Sequence, residues 1–179
     1  MAEVLAVSAR KGHGVGKNPQ LSIRLIAGQG VEGDAHCGEK VKHRSRARFN
    51  PGLPNFRQVH LIHAELLDEL AIKGFDIVPG EMGENILTSG IELLRLSTSA
   101  ILGIGSEAQI QITGLRNPCI QLERHKTGLM DAVLGRDADG NLIRKCGVMG
   151  IVLTGGEVFP HDPVTIISAG DPSKPLNPV

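Results

Sequence analysis

Short aliphatic and β-branched runs, each closed by glycine, proline or serine, recur along the chain. Residues 4–8, 22–26, 58–62, 86–87, 100–104, 108–113, 148–154 and 164–167 all read as strands. The run 108–113 alternates apolar with polar positions, the period of a half-buried strand. Residues 64–72 instead place apolar side chains at helical spacing. Glu65, Asp68 and Glu69 lie early in this segment and Lys73-Gly74 closes it, which predicts one amphipathic helix. Residues 129–134 predict a second, short helix, and Asp137-Ala138-Asp139-Gly140 a turn.

Many short strands with few helices predict an α+β, β-rich, barrel-like domain. With 179 residues and 41% hydrophobic side chains, the chain can bury one substantial core. A single domain is expected over residues 1–170. The tail 171–179, with three prolines, is expected to be disordered.

Charge and composition then narrow the function. The 19 basic and 19 acidic residues cancel, and Trp and Tyr are absent beside only 4 Phe, so there is little to attract or stack nucleic acid. No apolar run is long enough to span a bilayer, and Met1 to Ser8 lacks the basic start and apolar core of a signal peptide. Neither a nucleic-acid nor a membrane role is expected, and the expected location is cytoplasmic. Cys37, Cys119 and Cys146 do not make a disulfide framework.

The candidate chemistry centres on Pro118-Cys119, just past the alternating strand and near Arg116, Arg124, His125 and Lys126. A thiol reacts as its thiolate, which neighbouring cations and a helix start favour. Pro118 is expected at the first helical position, leaving Cys119 among free N–H groups. Cys119 is then a working thiol that holds a soft metal or carries sulfur; the competing reading is a buried small hydrophobe. Cys146 enters an apolar strand and reads as structural.

Other motifs are weaker. Gly12-His13-Gly14-Val15-Gly16-Lys17 has the wrong spacing for a phosphate loop, and Asn18 replaces its Ser or Thr, so a flexible connection is expected. Asp34, His36 and Cys37 lack the paired spacing of a zinc site; Asp34 and His36 suit a pocket rim. The basic run from Lys40 to Arg48 would serve an anion, a protein partner, or only a solvated edge. Arg57 precedes a strand, where a guanidinium can hold phosphate. Glu81, Glu84 and Asn85, in a glycine loop, either bind a polar heterocycle or cap turns.

Five stretches carry a resemblance: Gly30 to His36, Arg57 to Ile62, Pro79 to Asn85, Gly114 to Cys119, and Gly147 to Val158. In this order the chain resembles a stand-alone MOSC domain, the family named for the C-terminal domain of molybdenum cofactor sulfurase. The resemblance implies a β-rich barrel and a molybdenum cofactor (molybdopterin) site with Cys119 as metal ligand and catalytic residue. Asp34, His36, Arg57, Glu84, Asn85 and Arg116 are the implied cofactor-binding residues. The implied activity is reduction of N-hydroxylated compounds with electrons from a separate protein. Its rivals are a sulfur carrier, in which Cys119 takes persulfide sulfur from a separate cysteine desulfurase, and a non-catalytic pterin- or anion-binding module. Pyridoxal phosphate belongs to multidomain relatives and is not expected in this chain. Two departures stand out. His161-Asp162 replaces the more usual Gly-Asp, and Cys37 replaces a small residue, opening the prospect of a second thiol at the pocket.

Overall fold

The structure is a computed structural model and describes residues 1–42 and 48–179. His43, Arg44 and Arg46 of the basic run therefore lie outside the described residues. In chain order the elements are β1 (Glu3–Ala9), β2 (Asn18–Gln20), β3 (Ile23–Ile26), β4 (Gly30–Val31), β5 (Val59–His63), α1 (Glu65–Ile72) and β6 (Ile86–Ser89). A 3-10 turn (Leu93–Arg95), β7 (Ile101–Ile104), β8 (Ala108–Leu115), α2 (Ile120–His125) and α3 (Leu129–Ala132) follow. The last strands are β9 (Leu134–Arg136), β10 (Leu142–Arg144), β11 (Val148–Thr154), β12 (Gly156–Val158) and β13 (Val164–Ser168).

Eight strands form one sheet in the order β13-β7-β8-β11-β5-β6-β1-β2, beside the smaller sheets β12-β3-β4 and β10-β9. Strands β5 and β6 pair in parallel, joined by α1. The result is α+β and mostly strand, as the patterning predicts, but the ladders are open. Val4 N–H donates to Asp162 O (2.9 Å) and Val164 N–H to Ala2 O (3.0 Å), bringing β1 beside the start of β13. The bridge between Glu3 and Pro163 marks this meeting without growing into a ladder, since proline has no N–H with which to extend one. The expected barrel is thus an open sheet whose distant strands meet at one point. In the turn before β13, His161 occupies a left-handed position (φ 72°) more often given to glycine.

Alternation decides which side chains form the core. Along β8 every second residue from Ala108 is buried. In β5, Val59 and Leu61 enter the main core, whereas Ile62 faces a second cluster with Leu66 and Leu70 of α1, Leu122 and Leu129. Both faces of this central pair are therefore covered, as parallel strands require. Each large side chain buried there contributes about 1.5–3 kcal/mol. His60, between Val59 and Leu61, must point to the second face.

Residues 171–179 are not the disordered tail expected from their prolines. Thr98 N–H donates to Lys174 O (2.9 Å), Leu115 N–H to Asn177 O (2.8 Å) and Val179 N–H to Leu115 O (3.2 Å). Leu176 packs on the main core. Proline cannot donate, but the tail's carbonyls accept from Thr98 and Leu115, and Val179 N–H donates back to the free edge of β8.

Gly147 opens β11 at φ 79°, where a Cβ would run into Leu61 O. Its carbonyl accepts Arg116 N–H (3.0 Å), so this spot sets the path of the segment leading to Cys119. Gly147→Ala is expected to cost about 2 kcal/mol or more. Urea unfolding checks this as a lower midpoint with an unchanged slope.

Candidate functional site

A cleft of about 610 Å³ opens on the second face of the sheet. Its floor includes His60 and Met149, which are register partners on β5 and β11. Val15, Lys17, Gly83 and Asn85 form one wall, and Arg116, Asn117, Cys119 and Gln121 the other. His13, Gly14, His36 and Arg57 complete the lining, with the two imidazoles stacked edge to face at 5.4 Å between centroids.

The first wall rests on a buried ion pair. Lys17 Nζ lies 2.9 Å from Asp34 Oδ2, with side-chain exposures of 8% and 0%. The same oxygen accepts Asn85 Nδ2 (3.2 Å) and Arg10 N–H (3.2 Å), while Oδ1 accepts His36 N–H (3.0 Å). Burial alone would raise the Asp34 pKa, but the hydrogen bonds from His36 and the Lys17 charge outweigh it and hold the carboxyl well below its usual range. Burial pulls Lys17 down, against the attraction of Asp34 and Glu84. Lys17 is placed because its own N–H donates to Gly80 O (2.8 Å). The two glycine loops interlock there: Gly83 has φ 87°, and a Cβ on it would sit 2.7 Å from Val15 O.

His60 is buried with Nε2 2.8 Å from Cys146 O. Burial, then the Arg116 charge, push its pKa down to about 3, so the imidazole is neutral and Nε2–H is the donor. The cationic lining is thus Lys17, Arg57 and Arg116. Asn55, buried, sets the Arg57 segment against the His36 loop: its Nδ2 donates to His36 O (2.8 Å) and Gly38 O (2.9 Å), and its Oδ1 accepts Arg57 N–H (3.1 Å).

On the opposite wall Cys119 is half-buried and occupies the N-cap of α2 in extended conformation (φ −134°, ψ 165°). Pro118 therefore precedes the cap instead of opening the helix, because the cap residue itself must leave helical geometry. Cys119 Sγ makes a long contact with Gln121 Oε1 (3.9 Å). His125 and Lys126, expected beside the thiol, sit at the far end of α2. There His125 Nε2 (2.7 Å) and Lys126 Nζ (2.9 Å) meet Glu81 Oε1 and fasten the helix to the glycine loop. Arg116 Nη1 lies 3.5 Å from Cys146 Sγ. Burial raises the Cys146 pKa, so this sulfur is a buried thiol behind the site.

Of the residues singled out in the sequence, His36, Arg57, Asn85, Arg116 and Cys119 line the cleft. Asp34 and Glu84 do not: their carboxylates are buried behind the wall and already accept backbone or ion-pair donors. Cys37 lies outside the lining as well. Among the described residues no cluster of three or more His, Cys, Asp or Glu could hold a metal ion, so Asp34, His36 and Cys37 do not assemble into one. Lys17 is the main residue that sequence reasoning missed. Its segment reads as a flexible connection, and only the interlocked loops reveal that it turns inward. No helix among the described residues is long and apolar enough to cross a membrane.

The MOSC domain family model matches residues 35–172. No curated protein matches the chain. Among solved structures, the YUAD protein from Bacillus subtilis superposes with a TM-score of 0.73 at 22% identity, over 92% of this chain and 94% of that one. YiiM from Geobacillus stearothermophilus gives 0.67 at 18% identity, over 93% and 75%. YiiM from Escherichia coli gives 0.61 at 20% identity, over 94% and 70%. At these identities the likeness is one of fold.

Asp34 supplies the test of the network. Its depressed folded pKa gives stability that is complete above the ordinary carboxylate value, about 4, and lost as pH falls below it. Asp34→Asn leaves Lys17 buried beside a neutral amide and is expected to cost about 3 kcal/mol at pH 7. Denaturant unfolding from pH 7 to 3 should show a shallower acid loss in the variant than in the wild type.

Proposed function

Because the chain belongs to the MOSC domain family, we propose that its cleft binds a pterin-based molybdenum cofactor and serves a small reductase of N-hydroxylated compounds. One observation carries the reading: a soft thiol, Cys119, shares the cleft with Lys17, Arg57 and Arg116. The donor set suits such a group. Thiolate is the protein ligand a soft metal prefers, and guanidinium groups suit a phosphate. The volume lies within the roughly 300–1,000 Å³ usual for cofactor sites. When bound, the cofactor supplies the metal-centred redox chemistry.

The chain's own residues do the rest. Cys119 would hold the metal, and Arg57 and Arg116 the phosphate. Neutral His60 offers an uncharged ring on the floor, its Nε2–H occupied by Cys146 O. Asn85 has its amide fully engaged, so it gives the wall its shape more than it binds. As the family resemblance implies, electrons would come from a separate donor protein.

The long contact of Cys119 Sγ with Gln121 keeps a second reading in play. A half-exposed sulfur on an open wall can accept persulfide sulfur from a separate cysteine desulfurase. A metal and sulfur inventory separates the two. Protein from molybdate-fed cells is expected to hold about one molybdenum per chain, as one thiolate site allows, and Cys119→Ala to hold none. Molybdenum absent from the wild type, or undiminished in Cys119→Ala, overturns the reductase reading. One extra sulfur on Cys119 by mass spectrometry, after incubation with a desulfurase and cysteine, supports the carrier.

A further inference from the structure

Lys17 reaches the cleft from the first wall, opposite Cys119, and the chemistry above gives it no task. Its side chain is 8% exposed, and the backbone that carries it is fixed by the bond from its own N–H to Gly80 O. An ammonium removed from water needs acceptors for its N–H bonds, of which it has three. Among the described residues Asp34 alone accepts one, at 2.9 Å. That carboxylate is itself shared, since it also accepts from Asn85, Arg10 and His36. The Lys17 charge is therefore only partly compensated, and its remaining donors suit an acceptor that comes from the cleft. The rest of the lining sets the sign of such a ligand. Arg57 and Arg116 share the cleft with Lys17, and none of the lining residues is Asp or Glu. A cationic ligand would meet these charges without a counter-ion. Guanidinium groups bind a phosphate in bidentate fashion, whereas a compact ammonium suits the single charge of a carboxylate, as its pairing with Asp34 shows.

We propose that Lys17 selects substrates by charge: the N-hydroxylated compounds reduced here carry a carboxylate, which pairs with Lys17 Nζ across the cleft from Cys119. The inference rests on the reductase reading above and adds the substrate class to it. Lys17 is a specificity residue. It grips a part of the substrate remote from the N–O bond, alike before and during bond cleavage, so its hold acts on KM and not on kcat. Uncharged N-hydroxylated compounds forgo this pair, and compounds with a fixed positive charge are repelled as well.

Aryl hydroxylamines with a para carboxylate, carboxamide or trimethylammonium group, reduced by the cofactor-loaded protein, test this. The carboxylate is expected to exceed the carboxamide about 100-fold in kcat/KM, the scale of one buried charge pair, with the ammonium compound lowest. The double variant Lys17→Met/Asp34→Asn removes both charges, so no buried carboxylate is left alone. In it the ratio of carboxylate to carboxamide should fall to about 1, through KM. A damaged fold would slow all the compounds together and leave that ratio standing. The wild-type order decides the matter even where the variant does not fold. A wild type that reduces all the compounds with similar kcat/KM, or a variant that keeps the preference, overturns the role of Lys17 and leaves the reductase reading intact. A molybdenum-loaded wild type that reduces none of them overturns the reductase reading, and the substrate class with it.

Discussion

One asparagine side chain holds the functional end of this molecule together. Asn85 Oδ1 accepts His60 N–H (3.2 Å), while Nδ2 donates to Ser8 O (3.1 Å) and Asp34 Oδ2 (3.2 Å). Its backbone donates to His60 O and accepts from Ser8 N–H, both at 2.8 Å. A carboxamide alone offers donor and acceptor at once in this volume; an aspartate would set a second anion against Asp34 and lose both donors. Through these bonds β1, β5 and the two glycine loops share one position, and everything on the first wall inherits it. The bonds are buried, so each must be satisfied, and the arrangement has little freedom to relax.

That explains what the sequence does and does not disclose. Strands 4–8, 58–62 and 148–154 are legible as short aliphatic and β-branched runs, 108–113 because its alternation answers directly to burial, and the helix 64–72 because its charges and spacing agree. Strands β9, β10 and β12 escape notice, because each holds only three residues, too few to display a period. The tail escapes for the opposite reason, since its composition looks soluble while its backbone finds a sheet edge. At the site, Cys119 and Arg116 stand out by residue type. Asp34 and Glu84 stand out too, but as ligands in front of the wall when they lie behind it. Sequence names the chemical group and leaves open which side of a loop it faces. Lys17 is hidden altogether, because nothing within residues 12–17 reports the approach of Gly80 and Gly83.

Electrostatics follow the same logic. The chain is neutral overall, yet the cleft collects Lys17, Arg57 and Arg116, with the Asp34 carboxylate close behind. Burial keeps His60 neutral, so the floor adds no further charge to them. A charged His60 would repel Arg116. The lining is suited to an anion.

The two walls are built independently, and their separation is therefore a variable that the fold must fix. The first belongs to interlocked loops on β1 and β6; the second belongs to α2, a helix of only six residues with no strand of its own. Leu122 anchors α2 in the second core, but a single buried leucine leaves rotation about that point unconstrained. Glu81 removes the freedom by receiving His125 and Lys126 from the helix's far end, while Arg116, pinned by Gly147 and Cys146, holds the near end. A partly exposed ion pair contributes little to global stability, yet it suffices to select one orientation among several of similar energy. The placement of the Cys119 sulfur is thus a matter of geometry set by weak contacts at both ends of one short helix.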